Sequence, residues 1–201
     1  MGRTSDARER LVRCGRELML ERGYTAVGIA DLCERARVNK GSFYHAFPSK
    51  QDLALEVIHS FSADSAALFD EMVTGTGPPL RRLRGFFEAN YAHHRQRHAE
   101  CGRVEGCGLG GLAQEMSAQD PVLRERLREV FERQLGRFER VIAEAVGRGD
   151  LPPQDCRRAA RALTALHQGA LLLAKTWNDP EPLACLGDDA LRLLGARNAR
   201  R

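Results

Sequence analysis

The 201-residue sequence predicts an all-α fold, with an N-terminal three-helix unit containing a helix-turn-helix and a larger C-terminal helical bundle. Three observations predict it. Runs of Leu, Ala, Arg and Glu recur along the chain and are broken by Gly and Pro. No segment shows the alternation of a half-buried strand. Apolar residues make up 43 % of the chain, enough at this length to bury a core without disulfides or a structural metal.

The elements follow in order. A first helix is expected from about Ser5 to Arg22, because Ala7, Leu11, Cys14 and Leu18 fall on one face. Gly23 suits the left-handed position after its end. Ile29, Leu32, Cys33 and Ala36 repeat the pattern in a second helix over 29–36, and Arg37-Val38 breaks it. Asn39 is the natural N-cap of a compact third helix, about Lys40 to Phe47. Ser49 and Asp52 resemble a capping box at the start of a fourth. Residues 74–79 form a loop, and a helix is expected from Leu80 to His98. Irregular chain over 101–105 leads to a short helix from Gly106 to Met116. Asp120-Pro121, an N-cap followed by proline in the first helical position, opens a long helix to Val146. A turn over 147–153 leads to helices over 154–177 and 181–194. The expected domains are 1–50 and 51–201.

Charge and composition exclude more than they identify. The net charge is +4, and residues 1–60 hold ten basic and eight acidic side chains, so no basic tail marks a partner. The longest apolar run toward the C-terminus, Gly169 to Ala174, is far too short to span a membrane, and the charged N-terminus lacks an export signal. A cytoplasmic location is expected. The six cysteines show no zinc or C-x-x-C spacing, so most are expected to be reduced. His94 and His98 are four apart but have no third ligand at a matching distance, so neither metal nor cofactor is expected. No phosphate loop or nucleophile signature supports an enzyme, although Cys107 with a histidine leaves a thiol enzyme as a rival reading.

The informative segment is the third helix. Asn39, Lys40, Ser42, Tyr44 and His45 crowd hydrogen-bonding groups onto about two turns, while Phe43 and Phe47 anchor the opposite face. That division suits a helix pressed into a major groove. Its N-terminal residues would meet base edges, and Tyr44, His45 and Lys50 would reach phosphates. Gly41 lets the backbone approach the duplex. Lys40→Ala and Lys50→Ala are both expected to weaken binding to any sequence.

Glu21-Arg22-Gly23-Tyr24-Thr25, followed by Val38-Asn39-Lys40-Gly41-Ser42-Phe43-Tyr44-His45-Ala46-Phe47-Pro48-Ser49-Lys50, resembles the DNA-binding domain of TetR-family transcriptional regulators over roughly residues 8–56. The resemblance implies that three N-terminal helices bind DNA and a fourth connects. A variable C-terminal bundle would dimerise and take an effector. Most such proteins are repressors released from a palindromic operator by that effector. The candidate DNA-binding set is Thr25, Arg37, Asn39, Lys40, Gly41, Ser42, Tyr44, His45 and Lys50. Two positions depart from the family pattern. Arg37 stands where glycine is usual, at a turn that often needs positive φ, and is expected either to use another turn geometry or to contact phosphate. Ala46 replaces an aromatic residue.

One reading helix covers few base pairs, so a two-fold dimer placing two heads about 34–36 Å apart is expected. The candidate interface is the helices near 121–146 and 154–177. Their apolar faces carry Leu123, Leu127, Val130, Phe131, Leu135 and Phe138, then Leu163, Leu166 and Ala170.

A second resemblance lies in the C-terminal part. Gly106-Cys107-Gly108-Leu109-Gly110-Gly111-Leu112-Ala113-Gln114-Glu115 is similar to a Gly-Cys-Leu segment of one TetR-family branch. Leu171 to Lys175 and Glu181-Pro182-Leu183 match the same branch. Some of its members sense electrophiles or oxidants through cysteine. The residues themselves add two arguments. A cysteine opening a helix has its thiolate stabilised by free N–H groups. The chain uses 28 Arg but only three Lys, and Lys175 alone lies outside the DNA motif. Cys107 and Lys175 are therefore expected to approach one another in an effector cavity, with Cys101 as a candidate resolving thiol. The alternative is that Cys107 is a packing residue and Lys175 snorkels to solvent. Further candidate lining residues are Asn90, Tyr91, His94, Glu115, His167 and Trp177. The effector is unknown, and a DNA-binding adaptor with no effector remains open.

Overall fold

A computed structural model describes the backbone of residues 2–196 and the side chains of residues 6–196; Met1 and 197–201, the end of the second expected domain, lie outside the described residues. Among the described residues the chain forms α1 (Gly2–Arg22), α2 (Ile29–Ala36), α3 (Lys40–Ala46), α4 (Lys50–Thr74), α5 (Pro79–Cys101), α6 (Gly108–Met116), α7 (Pro121–Gly147), α8 (Cys156–Trp177) and α9 (Leu186–Leu193), with a 3-10 turn at Glu181–Leu183. No strand occurs among these residues, and the fold is all-α.

The local signals operate as expected. Gly23 ends α1 at φ +81°. Asn39 caps α3 by accepting from the Ser42 N–H at 2.7 Å. Asp120 accepts from the Val122 and Leu123 N–H groups at 2.9 and 3.0 Å, at the start of α7. The Asp52 N–H donates to Ser49 Oγ at 3.1 Å, completing the entry to α4.

Two expected helices change shape. The one expected over 181–194 is divided, because Pro180 and Pro182 both lack an N–H. The chain instead closes i→i+3 bonds, Leu183 N–H to Pro180 O and Ala184 N–H to Glu181 O, before α9 begins. The helix expected from Gly106 starts at Gly108, because Gly106 takes φ +72°. Cys107 therefore stands just ahead of α6 instead of inside its first turn.

The chain divides into two compact units, Met1–Asp64 with Gly108–Val130, and Ser65–Cys107 with Phe131–Arg201. In the first, the α1 stripe of Ala7, Leu11, Cys14 and Leu18 is buried together with Val27, Leu32, Phe43, Phe47, Leu53, Val57 and Ile58. Burying a side chain such as Phe43 contributes about 1.5–3 kcal/mol. In the second unit, Phe69, Phe86, Phe87 and Phe138 form one aromatic cluster, with Phe69 and Phe86 centroids 4.6 Å apart and Phe87 stacked on Phe138 at 6.0 Å.

The apolar faces expected at a subunit interface are used within the chain. Leu123, Leu127, Val130, Leu135, Phe138, Leu163 and Ala170 are all buried, and Phe131 and Leu166 are half-buried. The physical reason is general: the most apolar stripe of an amphipathic helix packs on its own core first. What α8 leaves uncovered is Leu172, Leu173 and Trp177.

Candidate nucleic-acid interface and effector region

The Asn39 cap fixes where α3 begins, and its two phenylalanines fix which way it faces. Phe43 and Phe47 are buried with ring centroids 6.2 Å apart. Arg37, Asn39, Lys40, Gly41, Tyr44 and His45 are consequently exposed, and Ser42 is half-buried. Ala7, Arg10, Arg37, Val38, Asn39, Gly41, Ser42 and His45 line an open concavity of about 550 Å³. Arg10 was not among the expected residues. It lies one turn beyond Ala7 on α1, a spacing that gives no signal until α1 and α3 are seen side by side.

Arg37 keeps the left-handed conformation, φ 53° and ψ 50°, instead of adopting another turn. Its N–H donates to Glu34 O, and Val38 N–H to Cys33 O at 2.9 Å. The guanidinium is thereby held at the concavity at a backbone cost that glycine would not incur.

Lys50 and Glu115 act on the backbone between α1 and α2. Lys50 Nζ donates to Tyr24 O at 3.1 Å and Val27 O at 2.9 Å, and sits 4.1 Å from the Tyr24 ring centroid. Burial pushes its pKa down, and the nearby Glu115 charge opposes that. The Glu115 carboxylate accepts from the Tyr24 and Thr25 N–H groups, each at 2.7 Å. Burial pushes this carboxyl up, but hydrogen bonds from Thr25 and Tyr24 and the Lys50 charge outweigh it, holding it below its usual range. Expected as a phosphate contact, Lys50 is committed to two carbonyls; expected in an effector cavity, Glu115 is in the first unit. Thr25 is exposed, with its hydroxyl 3.9 Å from Met116 Sδ.

In the second unit the loop ahead of α6 is held at five points. Asn178 Oδ1 accepts from the Val104 N–H at 2.9 Å, and Asn178 Nδ2 donates to Gly102 O at 3.0 Å. Arg97 pairs with Glu105 at 3.2 Å. The aliphatic stem of Lys175 lies against Gly106, where an added Cβ would meet it at 3.1 Å. Gln168 Nε2 lies 3.6 Å from the half-buried Cys107 Sγ. Lys175 thus comes to the residue beside Cys107, with its own side chain exposed. Cys101 is exposed, and its thiol donates to Arg97 O.

Of the other candidate lining residues, His94 and His167 are buried. The Tyr91 hydroxyl donates to Glu181 at 3.0 Å, and Asn90 Nδ2 donates to Phe86 O at 3.2 Å. Trp177 is 62 % exposed. Among the described residues no group of three His, Cys, Asp or Glu could hold a metal ion, and no helix is long and apolar enough to cross a membrane.

Comparison with known proteins agrees with this geometry. Residues 11–57 match the family described as bacterial regulatory proteins, tetR family, and residues 79–186 match the tetracyclin repressor-like C-terminal domain. The chain is 36 % identical to the transcriptional regulator AcuR of Cereibacter sphaeroides over 182 residues, covering 88 % of this chain and 80 % of AcuR. It is 34 % identical to the HTH-type transcriptional repressor DhaR of Mycobacterium sp. strain GP1, covering 91 % and 89 % of the two chains. The crystal structure of a regulatory protein TetR from Rhodobacter sphaeroides superposes with a TM-score of 0.83 at 34 % identity, over 93 % of this chain and 98 % of that one. The reduced form of Escherichia coli NemR gives 0.77 at 27 % identity, over 93 % and 96 %. These relatives are named as regulators or repressors, not enzymes. With its capped reading helix, its two matched domains and these relatives, the chain belongs to the TetR family of DNA-binding transcriptional regulators.

Proposed function

We propose that this protein is a cytoplasmic repressor that binds a palindromic operator as a homodimer and leaves it when a small effector binds or Cys107 is modified. Residues 1–50 read the DNA; effector and dimer contacts fall within 51–201. The observation that carries the reading is the two-faced α3, with Phe43 and Phe47 buried and a row of hydrogen-bonding side chains exposed beside two arginines. Asn39, Lys40, Ser42 and His45 meet base edges and phosphates. Arg10, Arg37 and Tyr44 add backbone contacts, and Gly41 gives the duplex room. Thr25 and Lys50 serve by fixing the turn that precedes α2. The uncovered Leu172 and Leu173 on α8, flanked by Gly169 and Thr176 one helical turn away, are the apolar surface for a second copy.

Salt-dependent binding to an inverted repeat tests this. The complex sediments with two chains per operator, and its affinity falls steeply with salt. Lys40→Ala reduces the slope of log K against log salt by about 2, one phosphate charge from each protomer. Unchanged affinity and slope would remove Lys40 from the interface.

Cys107 modification has its own support. The thiol stands at the entry to α6 within reach of Gln168, on a loop pinned by Asn178 and the Arg97–Glu105 pair. The relative NemR has a solved structure described as a reduced form. An electrophile adding to the Cys107 sulfur would disturb a loop that leads directly into α6, the helix that carries Glu115. Cys107→Ser is expected to bind the operator normally and to stay bound when an electrophile releases the wild type. Release of the variant at the same electrophile concentration counts against the thiol.

A further inference from the structure

Two histidines in the second unit are unused by its hydrogen bonds and ion pairs. His94 on α5 and His167 on α8 are 6 % and 8 % exposed. Neither His94 Nδ1 nor His167 Nε2 has a hydrogen-bond partner among the described residues. The His167 ring stands edge-on to Phe86 and Phe87, with centroids 5.5 and 5.6 Å away, and both phenyl rings also contact Phe138. Gln134 is buried as deeply, and so is the side chain of Arg82, which is engaged by Met72 O, Val73 O and Glu144. Leaving a polar atom unpaired in an apolar cage is costly, and a phenylalanine or leucine would fill either position without that cost. The chain nevertheless keeps two such atoms, with His94 near enough to His167 for its charge to oppose protonation there.

The surroundings select the charge of what could satisfy them. Burial pushes the pKa of both imidazoles down to about 4, so both are neutral at pH 7. His93 lowers His94 further, and Glu105, already paired with Arg97, opposes this. The Arg82 side chain, 8 % exposed, is already held by the Met72 and Val73 carbonyls and by Glu144. An anion entering here would find only arginines that already have carboxylate partners, Arg97 with Glu105 and Arg82 with Glu144, and would face Glu105. A cation would find only a carboxylate that already has a partner. An uncharged group pays neither penalty.

We propose that His94 and His167 form the polar end of an effector subsite for a small uncharged molecule, whose apolar body lies against the Phe86–Phe87–Phe138 cluster and whose amide, hydroxyl or carbonyl group meets the two free imidazole nitrogens. The regulatory consequence rests on the effector-responsive repressor reading, whereas binding at the subsite does not depend on it.

Isosteric pairs separate the charge classes: propionamide and propionate, butyramide and butyrate, benzamide and benzoate. Each is added to the full chain, with binding read by ligand-detected NMR and by calorimetric Tm. At least one amide is expected to raise Tm by about 3 °C at roughly ten times its Kd, and its carboxylate partner is not. His167→Phe and His94→Leu are expected to keep or raise the ligand-free Tm, because each removes an unpaired polar atom, and to lose the amide response. The proposal is overturned if carboxylates bind as well as amides, if no amide binds the wild type, or if the variants respond as the wild type does. A large loss of Tm in both ligand-free variants would also overturn it, showing a structural role. Operator release by the binding amide is measured separately. An amide that binds without releasing operator supports the subsite and refutes the effector reading.

Discussion

Replacing Glu115 by alanine is expected to destabilise the protein by about 2–3 kcal/mol, the loss of two charge-assisted hydrogen bonds at a half-buried site. For a chain of this size that lowers Tm by about 4–12 °C. The carboxylate holds two consecutive N–H groups, those of Tyr24 and Thr25, while Lys50 holds the carbonyls of Tyr24 and Val27 from the other side. Together they fix the turn that sets α2, and hence α3, against α1. Lys50→Ala should therefore lower Tm as well, yet leave the salt slope of operator binding nearly unchanged, the reverse of Lys40→Ala. The two side chains also attract one another, so the double variant should lose less than the sum of the singles, by at least about 0.5 kcal/mol.

The pH dependence of this clamp has a definite sign. The Glu115 carboxyl titrates below its usual range in the folded chain, so its contribution is complete above the unfolded value of about 4.3 and disappears as pH falls through the lower folded value. The Tm difference between wild type and Glu115→Gln should be constant near neutrality and close in acid. Differential scanning calorimetry between neutral pH and about pH 3 checks both statements. A difference that persisted at the acid end would show that the carboxylate charge is not what holds the turn.

Glu115 also shows where reading the sequence stops. The caps at Asn39, Ser49 and Asp120, the left-handed Gly23 and the buried faces of α1 and α2 depend on residues within one or two turns, and all are legible. Glu115 and Tyr24 are 91 residues apart, and no periodicity relates them. Lys50 was legible as a motif lysine, but its direction was not, because an ammonium on a four-carbon stem reaches backbone as readily as phosphate. The uncovered apolar positions of α8 are hidden in the sequence for a different reason. Leu163 and Ala170 are the conspicuous apolar positions of α8, and its own core claims them. The residues left outside, Leu172 and Leu173, lie on the next stripe and stand out only once the core is known. His94 and His167 were legible as lining candidates, but their unpaired nitrogens were not.

Arg37→Gly is expected to make the protein more stable and a worse binder of its operator. The left-handed conformation at φ 53° costs an L-residue with a bulky side chain about 1–2 kcal/mol. Glycine removes that cost and returns part of it as extra freedom in the unfolded chain, so the net gain is about 0.5–1 kcal/mol and Tm rises by about 1–4 °C. The same change removes a guanidinium from the concavity proposed to face the duplex, once in each protomer of the proposed dimer. Losing two phosphate charges lowers the salt slope by about 2 and weakens binding by about 10–100-fold at low salt. Arg37→Lys separates the two effects, since it keeps the charge and the strained backbone together. It should hold the wild-type Tm and most of the salt slope. If Arg37→Gly gains stability with affinity and slope unchanged, the guanidinium does not touch DNA, and the strain at this turn has no compensating gain there. If it gains nothing in Tm, the turn is held by the Val38–Cys33 bond strongly enough that the residue between is indifferent. Only the combination of a rise in Tm with a fall in slope makes Arg37 a residue retained for its charge at the expense of its backbone.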